Sequence, residues 1–95
     1  MNNLIPEFLK AMDEIGQYGH EKYKDKSFQE QRLRGDRSRI KRCDPKEIAS
    51  HASAHYASYL RGELHDHFHT RKHQLAAVAF NAMMAFYYAG LEDEY

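Results

Sequence analysis

The stretch His51–Asn81, HASAHYASYLRGELHDHFHTRKHQLAAVAFN, decides the fold. Small and aromatic residues precede Gly62, a polar segment rich in histidine follows it, and a long apolar run begins at Leu75. Glycine closes helix C termini because it readily adopts the left-handed conformation needed there. We therefore predict two antiparallel helices joined by an elbow at about residues 62–70. Because the elbow concentrates imidazole and carboxylate groups, we expect the functional site at or beside it.

The helix before the elbow has a clear beginning. Asp44 can accept the free amides of a first turn, and Pro45 suits the first helical position. The helix is predicted over about residues 44–62. Winding it at 100° per residue places Ile48, His55 and Tyr59 on one face.

The helix after the elbow, predicted over about residues 70–90, is apolar almost all round. From Leu75 to Ala89 every residue except Asn81 is apolar or tyrosine. Such a helix must be buried on all sides, and two further helices of one small chain cannot cover it. We therefore predict a homo-oligomer with this helix at its centre.

The N-terminal half combines an amphipathic helix with a basic segment. Apolar residues recur at three- and four-residue steps over about residues 3–23, and Gly16 and Gly19 on that face predict close approach by another helix. Residues 24–43 lose this periodicity and are predicted to form a long basic loop. The loop is either an arginine-rich phosphate clamp or a solvated surface segment. The overall prediction is one all-α domain, residues 1–95, with three main helices and an acidic tail at 91–95.

Composition excludes several classes of protein. The 95 residues carry no formal net charge, which disfavours general nucleic-acid binding, and no apolar run is long enough for a membrane span. The single cysteine, Cys43, and the absence of a signal peptide favour a cytoplasmic location.

Polar residues in the central stretch suggest a metal or ligand site. His51 and His55 are four residues apart and share a helix face, while Glu63, Asp66 and His73 add oxygen and nitrogen ligands. Nitrogen suits a transition metal, whereas the paired carboxylates suit Mg²⁺ or Mn²⁺. Burying the carboxamide of Asn81 unpaired is costly, so its partner is His55, backbone, another subunit or a ligand.

A second cluster lies where the first predicted helix meets the basic segment. Tyr18, Lys22, Tyr23 and Lys26 combine aromatic rings, which stack on bases, with cations, which hold phosphates. The alternative is that Tyr23 is a core residue and the lysines are solubilising.

These residues resemble the phage dATP/dGTP diphosphohydrolase N-terminal domain over about residues 3–89. The resemblance rests on Y-G-x-x-K-Y-x-D from Tyr18, His55, G-E-x-x-D from Gly62, and H-x-L-A from His73 with Asn81. That family is related to the all-α, MazG-like nucleotide pyrophosphohydrolases, oligomers that use Mg²⁺ to hydrolyse nucleoside triphosphates. The resemblance implies a purine nucleotide as ligand and, for a phage protein, the host cytoplasm as its location.

The resemblance also implies a role for each matching residue. Glu63 and His55 are the expected catalytic residues, and Glu63, Asp66 and His73 are expected to hold Mg²⁺ or Mn²⁺. The resemblance places Tyr18, Lys22, Tyr23 and Asp25 on the nucleotide side. The residue types and positions themselves add further expected nucleotide-binding residues, namely Lys26, Arg34, Arg37, Arg39 and Asn81.

Three functions stay open at this level. The first is metal-dependent hydrolysis of a purine nucleoside triphosphate. The second is a non-catalytic binder that sequesters a nucleotide or nucleotide signal, for example to counter a host defence. Only Glu14-x-x-Gln17 stands where MazG-like enzymes have E-x-x-E, and this incomplete carboxylate set favours the binder. The third is a protein-interaction module that uses the apolar helix.

Overall fold

The computed structural model describes residues 3–35, 44–63 and 71–91, and for residues 71–73 it describes the backbone alone. The described chain forms four α-helices: α1 (Pro6–Tyr23), α2 (Phe28–Arg34), α3 (Pro45–Leu60) and α4 (Arg71–Tyr88). A short 3₁₀ turn, Lys24–Lys26, joins α1 to α2. The predicted all-α class is confirmed for these residues, among which there is no strand.

Local chemistry explains where the helices begin and end. Both α1 and α3 carry proline at the first helical position, where its missing N–H costs nothing. At the start of α3 the Asp44 carboxylate accepts a hydrogen bond from the Lys46 amide at 3.0 Å. After α3, Gly62 has φ +76°, a conformation that glycine adopts without strain.

The prediction of a loop from residue 24 is wrong as far as Gly35, because α2 forms there. Ser27 caps α2 by accepting the Glu30 amide at 3.3 Å, and Gly35 ends it in the left-handed conformation. Ser27-x-x-Glu30 is a recognised helix-start pattern that the surrounding positive charge obscured. Phe28 tethers α2 to α4 through edge-to-face contacts with aromatic rings, whereas Leu33 is exposed.

The core lies where α1 and α3 pack against α4. Ala76 and Ala77 of α4 are almost fully buried and contact Ala11 and Ile15 of α1. On α3, Ile48 and Ala52 are buried. Alanines at these positions allow close packing of the helices around α4.

The outer part of α4 is incompletely covered. Met83 and Phe86 each retain 37% of their accessible surface, so the other described helices do not enclose this apolar helix. No helix among residues 3–35, 44–63 and 71–91 has the length and apolarity to cross a membrane. Most of the predicted elbow (64–70) and of the acidic tail (92–95) lies outside the described residues.

Candidate functional site

A groove runs between α1 and α3 and has a volume of about 570 Å³. Because both helices pack against α4, we assign its floor to α4, where Ala77, Phe80 and Asn81 line it. We call it the α1–α3 groove. Its volume lies within the range of small-molecule sites, about 300–1,000 Å³.

One wall of the α1–α3 groove carries the aromatic and cationic residues singled out in the sequence. Tyr18, Lys22 and Tyr23 come from α1, and Lys26 comes from the 3₁₀ turn. The Lys22 ammonium lies 5.4 Å from the centre of the Tyr23 ring, a cation–π distance. The fold therefore gathers two cations and two phenol rings along one wall.

The opposite wall is a polar stripe along α3. Glu47, His51 and His55 are spaced four residues apart and all line the groove. This spacing brings side chains onto one helix face, so a carboxylate and two imidazoles line the same groove as the two cations. Glu47 was not among the predicted site residues, although its spacing from His51 could have identified it.

His55 belongs to a hydrogen-bonded chain that sequence reasoning did not foresee. Its Nδ1 lies 2.9 Å from Oε1 of Gln74, whose Nε2 donates to the Glu63 backbone carbonyl at 3.1 Å. If the Gln74 carboxamide were rotated by 180°, its Oε1 would lie beside the Glu63 carbonyl oxygen, and two acceptors cannot form a hydrogen bond. His55 Nδ1 therefore carries the proton and donates, so in the neutral ring Nε2 is the acceptor nitrogen.

Gln74 is the residue that fixes this arrangement. It is 1% exposed, and its two hydrogen bonds join α3, the residue after Gly62 and the first turn of α4. The only sequence signal was its position, a polar residue directly before the apolar run that begins at Leu75.

Asn81 satisfies its carboxamide locally while lining the α1–α3 groove. Its Nδ2 donates to the Ala77 backbone carbonyl, four residues earlier, at 2.8 Å. Of the four partners considered from the sequence, the structure shows backbone. Asn81 is half-buried, so it places an amide on the floor between the two walls.

Other predicted site residues lie elsewhere. The exposed Glu63 carboxylate pairs with Arg61, with Oε1 2.7 Å from Nε. Asp25 and Arg34 are exposed and are not among the described residues that line the groove. Outside the described residues are Arg37, Arg39, Asp66 and the side chain of His73.

The described residues do not by themselves fit the expected Mg²⁺ or Mn²⁺ site. Within them, no three histidine, cysteine or acidic side chains are grouped so as to hold a metal ion. Glu47 is the one described carboxylate in the groove, and Glu63 is engaged by Arg61. Mg²⁺ sites in proteins use one or two carboxylates together with substrate phosphates. The metal prediction depends on Asp66 and His73 and stays a prediction.

Comparison with known proteins gives no relative for this chain: it matches no family model, no curated protein and no solved structure.

Proposed function

We propose that this protein binds a purine nucleotide in the α1–α3 groove. The observation that carries the proposal is the convergence of Tyr18, Lys22, Tyr23 and Lys26 with His55 and Asn81 around one groove of about 570 Å³. The sequence predicts each of these residues as a nucleotide ligand or site residue. The resemblance to the phage dATP/dGTP diphosphohydrolase domain supports the same ligand class.

The two walls divide the recognition of such a ligand. The ammonium groups of Lys22 and Lys26 attract the phosphates, and the neighbouring phenol rings offer faces on which a base stacks. On the other wall, His51 and His55 present nitrogen atoms to phosphate or sugar. The Asn81 amide adds a group able to recognise a polar base edge.

Sequestration is the form of this function that the described residues support best. Hydrolysis of a nucleoside triphosphate with Mg²⁺ or Mn²⁺, as the resemblance implies, requires carboxylates that hold the metal. In the described part of the chain the α1–α3 groove has one, Glu47, and the Glu63 carboxylate is paired with Arg61. This set of carboxylates favours binding of the nucleotide over its hydrolysis.

We also propose that α3 and α4 form an antiparallel hairpin and that the protein assembles as a homo-oligomer. The contact between His55, in the second half of α3, and Gln74, in the first turn of α4, supports the hairpin. The exposed Met83 and Phe86 of α4 support assembly, since burial of such surface stabilises association.

Calorimetry with dATP and dGTP, and with dTTP as a pyrimidine control, tests the binding proposal. We expect saturable purine binding that weakens at least about tenfold in a Lys22→Ala/Lys26→Ala variant, because two phosphate-facing charges are lost. The matched control is Lys10→Ala/Lys46→Ala, which removes two exposed lysines that do not line the groove. Absence of binding at millimolar nucleotide, or equal loss in both variants, would contradict the proposal.

Product analysis separates sequestration from hydrolysis. The protein is incubated with dATP or dGTP and Mg²⁺ or Mn²⁺, and pyrophosphate is measured. Recovery of intact nucleotide supports sequestration. Pyrophosphate release that Glu63→Gln abolishes supports the hydrolase instead.

A further inference from the structure

A second groove lies beside the α1–α3 groove and shares Gly16, Phe28 and Phe80 with it, but none of the proposed nucleotide-binding residues lines it. It runs between α1 and α2, has a volume of about 740 Å³, and is called here the α1–α2 groove. Most of its lining is apolar. The apolar side chains that line it are Leu9, Met12, Phe28, Leu33, Phe80 and Met83.

Three of these apolar side chains are exposed. Leu33 retains 75% of its accessible surface, Leu9 45% and Met83 37%. Leu33 lies on the α2 wall, Leu9 on the α1 wall, and Met83 comes from α4. An apolar surface of this kind that contacts water on two walls is characteristic of a protein–protein interface.

The polar residues of the α1–α2 groove carry opposite charges on opposite walls. Asp13 lies on the α1 wall and Arg32 on the α2 wall, and both are exposed. In the part of the chain that the structure describes, neither forms an ion pair. Elsewhere in the groove, the Gln17 amide donates to Gln29 at 3.5 Å and links the two walls.

We infer that a second copy of this chain docks in the α1–α2 groove through a two-fold symmetric contact. In such a contact the same surface serves both copies, so it must be complementary to itself. The groove meets this condition: Leu33 is a projecting apolar side chain beside an apolar recess, and an acid on one wall is matched by a base on the other. Leu33 of each copy enters the recess of the other, and Asp13 of each copy faces Arg32 of its partner.

The charge pattern favours a second copy over a different partner. A surface that selects an acidic or a basic partner carries charges of predominantly one sign. The charged residues lining the α1–α2 groove are one aspartate and one arginine, which complement each other and leave no net charge. This inference rests on the proposed homo-oligomer and names its contact surface. It is separate from nucleotide binding, because Leu33, Asp13 and Arg32 do not line the α1–α3 groove.

Sedimentation equilibrium of the full chain tests the apolar part of the contact. We expect a mass of twice the 11.2 kDa chain at micromolar concentration and at least about tenfold weaker association in Leu33→Glu, which forces a charge into the partner's recess. Leu60→Glu is the matched control, because Leu60 on α3 is 66% exposed but does not line the groove. A wild-type chain that is monomeric at millimolar concentration overturns the inference, as does an assembly that Leu33→Glu leaves intact.

A charge exchange tests the orientation of the contact. Asp13→Arg and Arg32→Asp each place like charges opposite one another and are expected to weaken association at least about tenfold. The double variant Asp13→Arg/Arg32→Asp restores the pairing and is expected to associate like the wild type. Failure of the double variant to recover, with the helical circular dichroism signal retained, overturns the proposed contact between Asp13 and Arg32.

Discussion

Gly16 on α1 lies directly against the ring of Phe80 on α4. A Cβ atom built on Gly16 comes within 3.0 Å of Phe80 Cε1 and 3.1 Å of Cζ, closer than ordinary carbon–carbon contacts. Gly19, one helical turn later, has no neighbouring atom within 4 Å of the equivalent position. Two glycines of the same helix therefore have different roles: one permits α1 to approach α4, and the other leaves space beside the α1–α3 groove.

This difference predicts unequal stabilities for two alanine variants. Replacing a helical glycine by alanine stabilises a helix by up to about 1 kcal/mol. We expect Gly19→Ala to raise the free energy of unfolding by about that amount. Gly16→Ala must displace the Phe80 ring and is expected to be less stable than Gly19→Ala by about 1 kcal/mol or more. Urea denaturation measures both, and equal stabilities would contradict the assigned contact.

Lys24, at the end of α1, has φ +55° and ψ −126°, a combination that side chains disfavour. Strain of this kind costs about 1–3 kcal/mol, which exceeds the added unfolded-state entropy of glycine, about 0.5–1 kcal/mol. Lys24→Gly is therefore expected to increase the free energy of unfolding. Lys10→Gly, within α1, is the control and should lower it by about 1 kcal/mol. Thermal and urea denaturation provide the readout, and a destabilised Lys24→Gly would count against the backbone assignment.

Removal of the Gln74 carboxamide should affect both stability and the His55 ring. Gln74→Leu leaves His55 Nδ1 and the Glu63 carbonyl without this partner, at an expected cost of about 1–3 kcal/mol. The tautomer is observable by ¹⁵N NMR of labelled histidine. We expect the Nδ1–H form of neutral His55 in the wild type and a loss of that preference in the variant.

Gln29→Leu is the matched change for this experiment, since Gln29 lies in α2, is exposed, and accepts only a long hydrogen bond of 3.5 Å from Gln17. It should change the free energy of unfolding by less than about 0.5 kcal/mol and leave the ¹⁵N NMR spectrum of His55 unchanged. A wild-type His55 that is predominantly Nε2–H would refute the proposed direction of the hydrogen bond.

The open space beside Gly19 allows the α1–α3 groove to be blocked without disturbing the core. Gly19 lines the groove, so a phenylalanine side chain at this position extends into it. We expect Gly19→Phe to lower nucleotide affinity at least about tenfold, while Gly19→Ala binds like the wild type. Calorimetry with dATP checks both. Unchanged binding by a folded Gly19→Phe protein would place the nucleotide elsewhere.

Helix ends were predictable because single residues determine them. Asp44 and Pro45 satisfy or remove the free amides of a first turn, and the structure starts α3 at that proline. The structure starts α1 at Pro6, three residues after the predicted start. The short helix α2 was missed because its apolar periodicity is too brief to register. Its position depends on Phe28 packing against Phe80 and Tyr87, residues far away in the sequence.

The candidate site was predictable where one helix carries its residues. His51 and His55 share a face of α3, so spacing alone groups this pair. Lys22 and Lys26 are close in the sequence, but α1 ends at Tyr23 and Lys26 lies in the 3₁₀ turn, so helical spacing does not group them. The sequence could not show that the two pairs line the same groove, nor that the Glu63 carboxylate turns to Arg61. The first relationship depends on how three helices pack, which no local pattern specifies. The second is a contact between side chains two residues apart, at the turn that follows α3.

The alanine-rich core has a thermodynamic consequence. Among the described residues, Ala11, Ala52, Ala76 and Ala77 supply most of the buried apolar side chains, and each covers little more than a methyl group. The heat-capacity change on unfolding follows the apolar surface newly exposed to water. Calorimetric scans of this chain should therefore give a heat-capacity change below the roughly 1.1–1.4 kcal/mol/K expected for a protein of its length, and a stability that changes only gradually between cold and warm conditions.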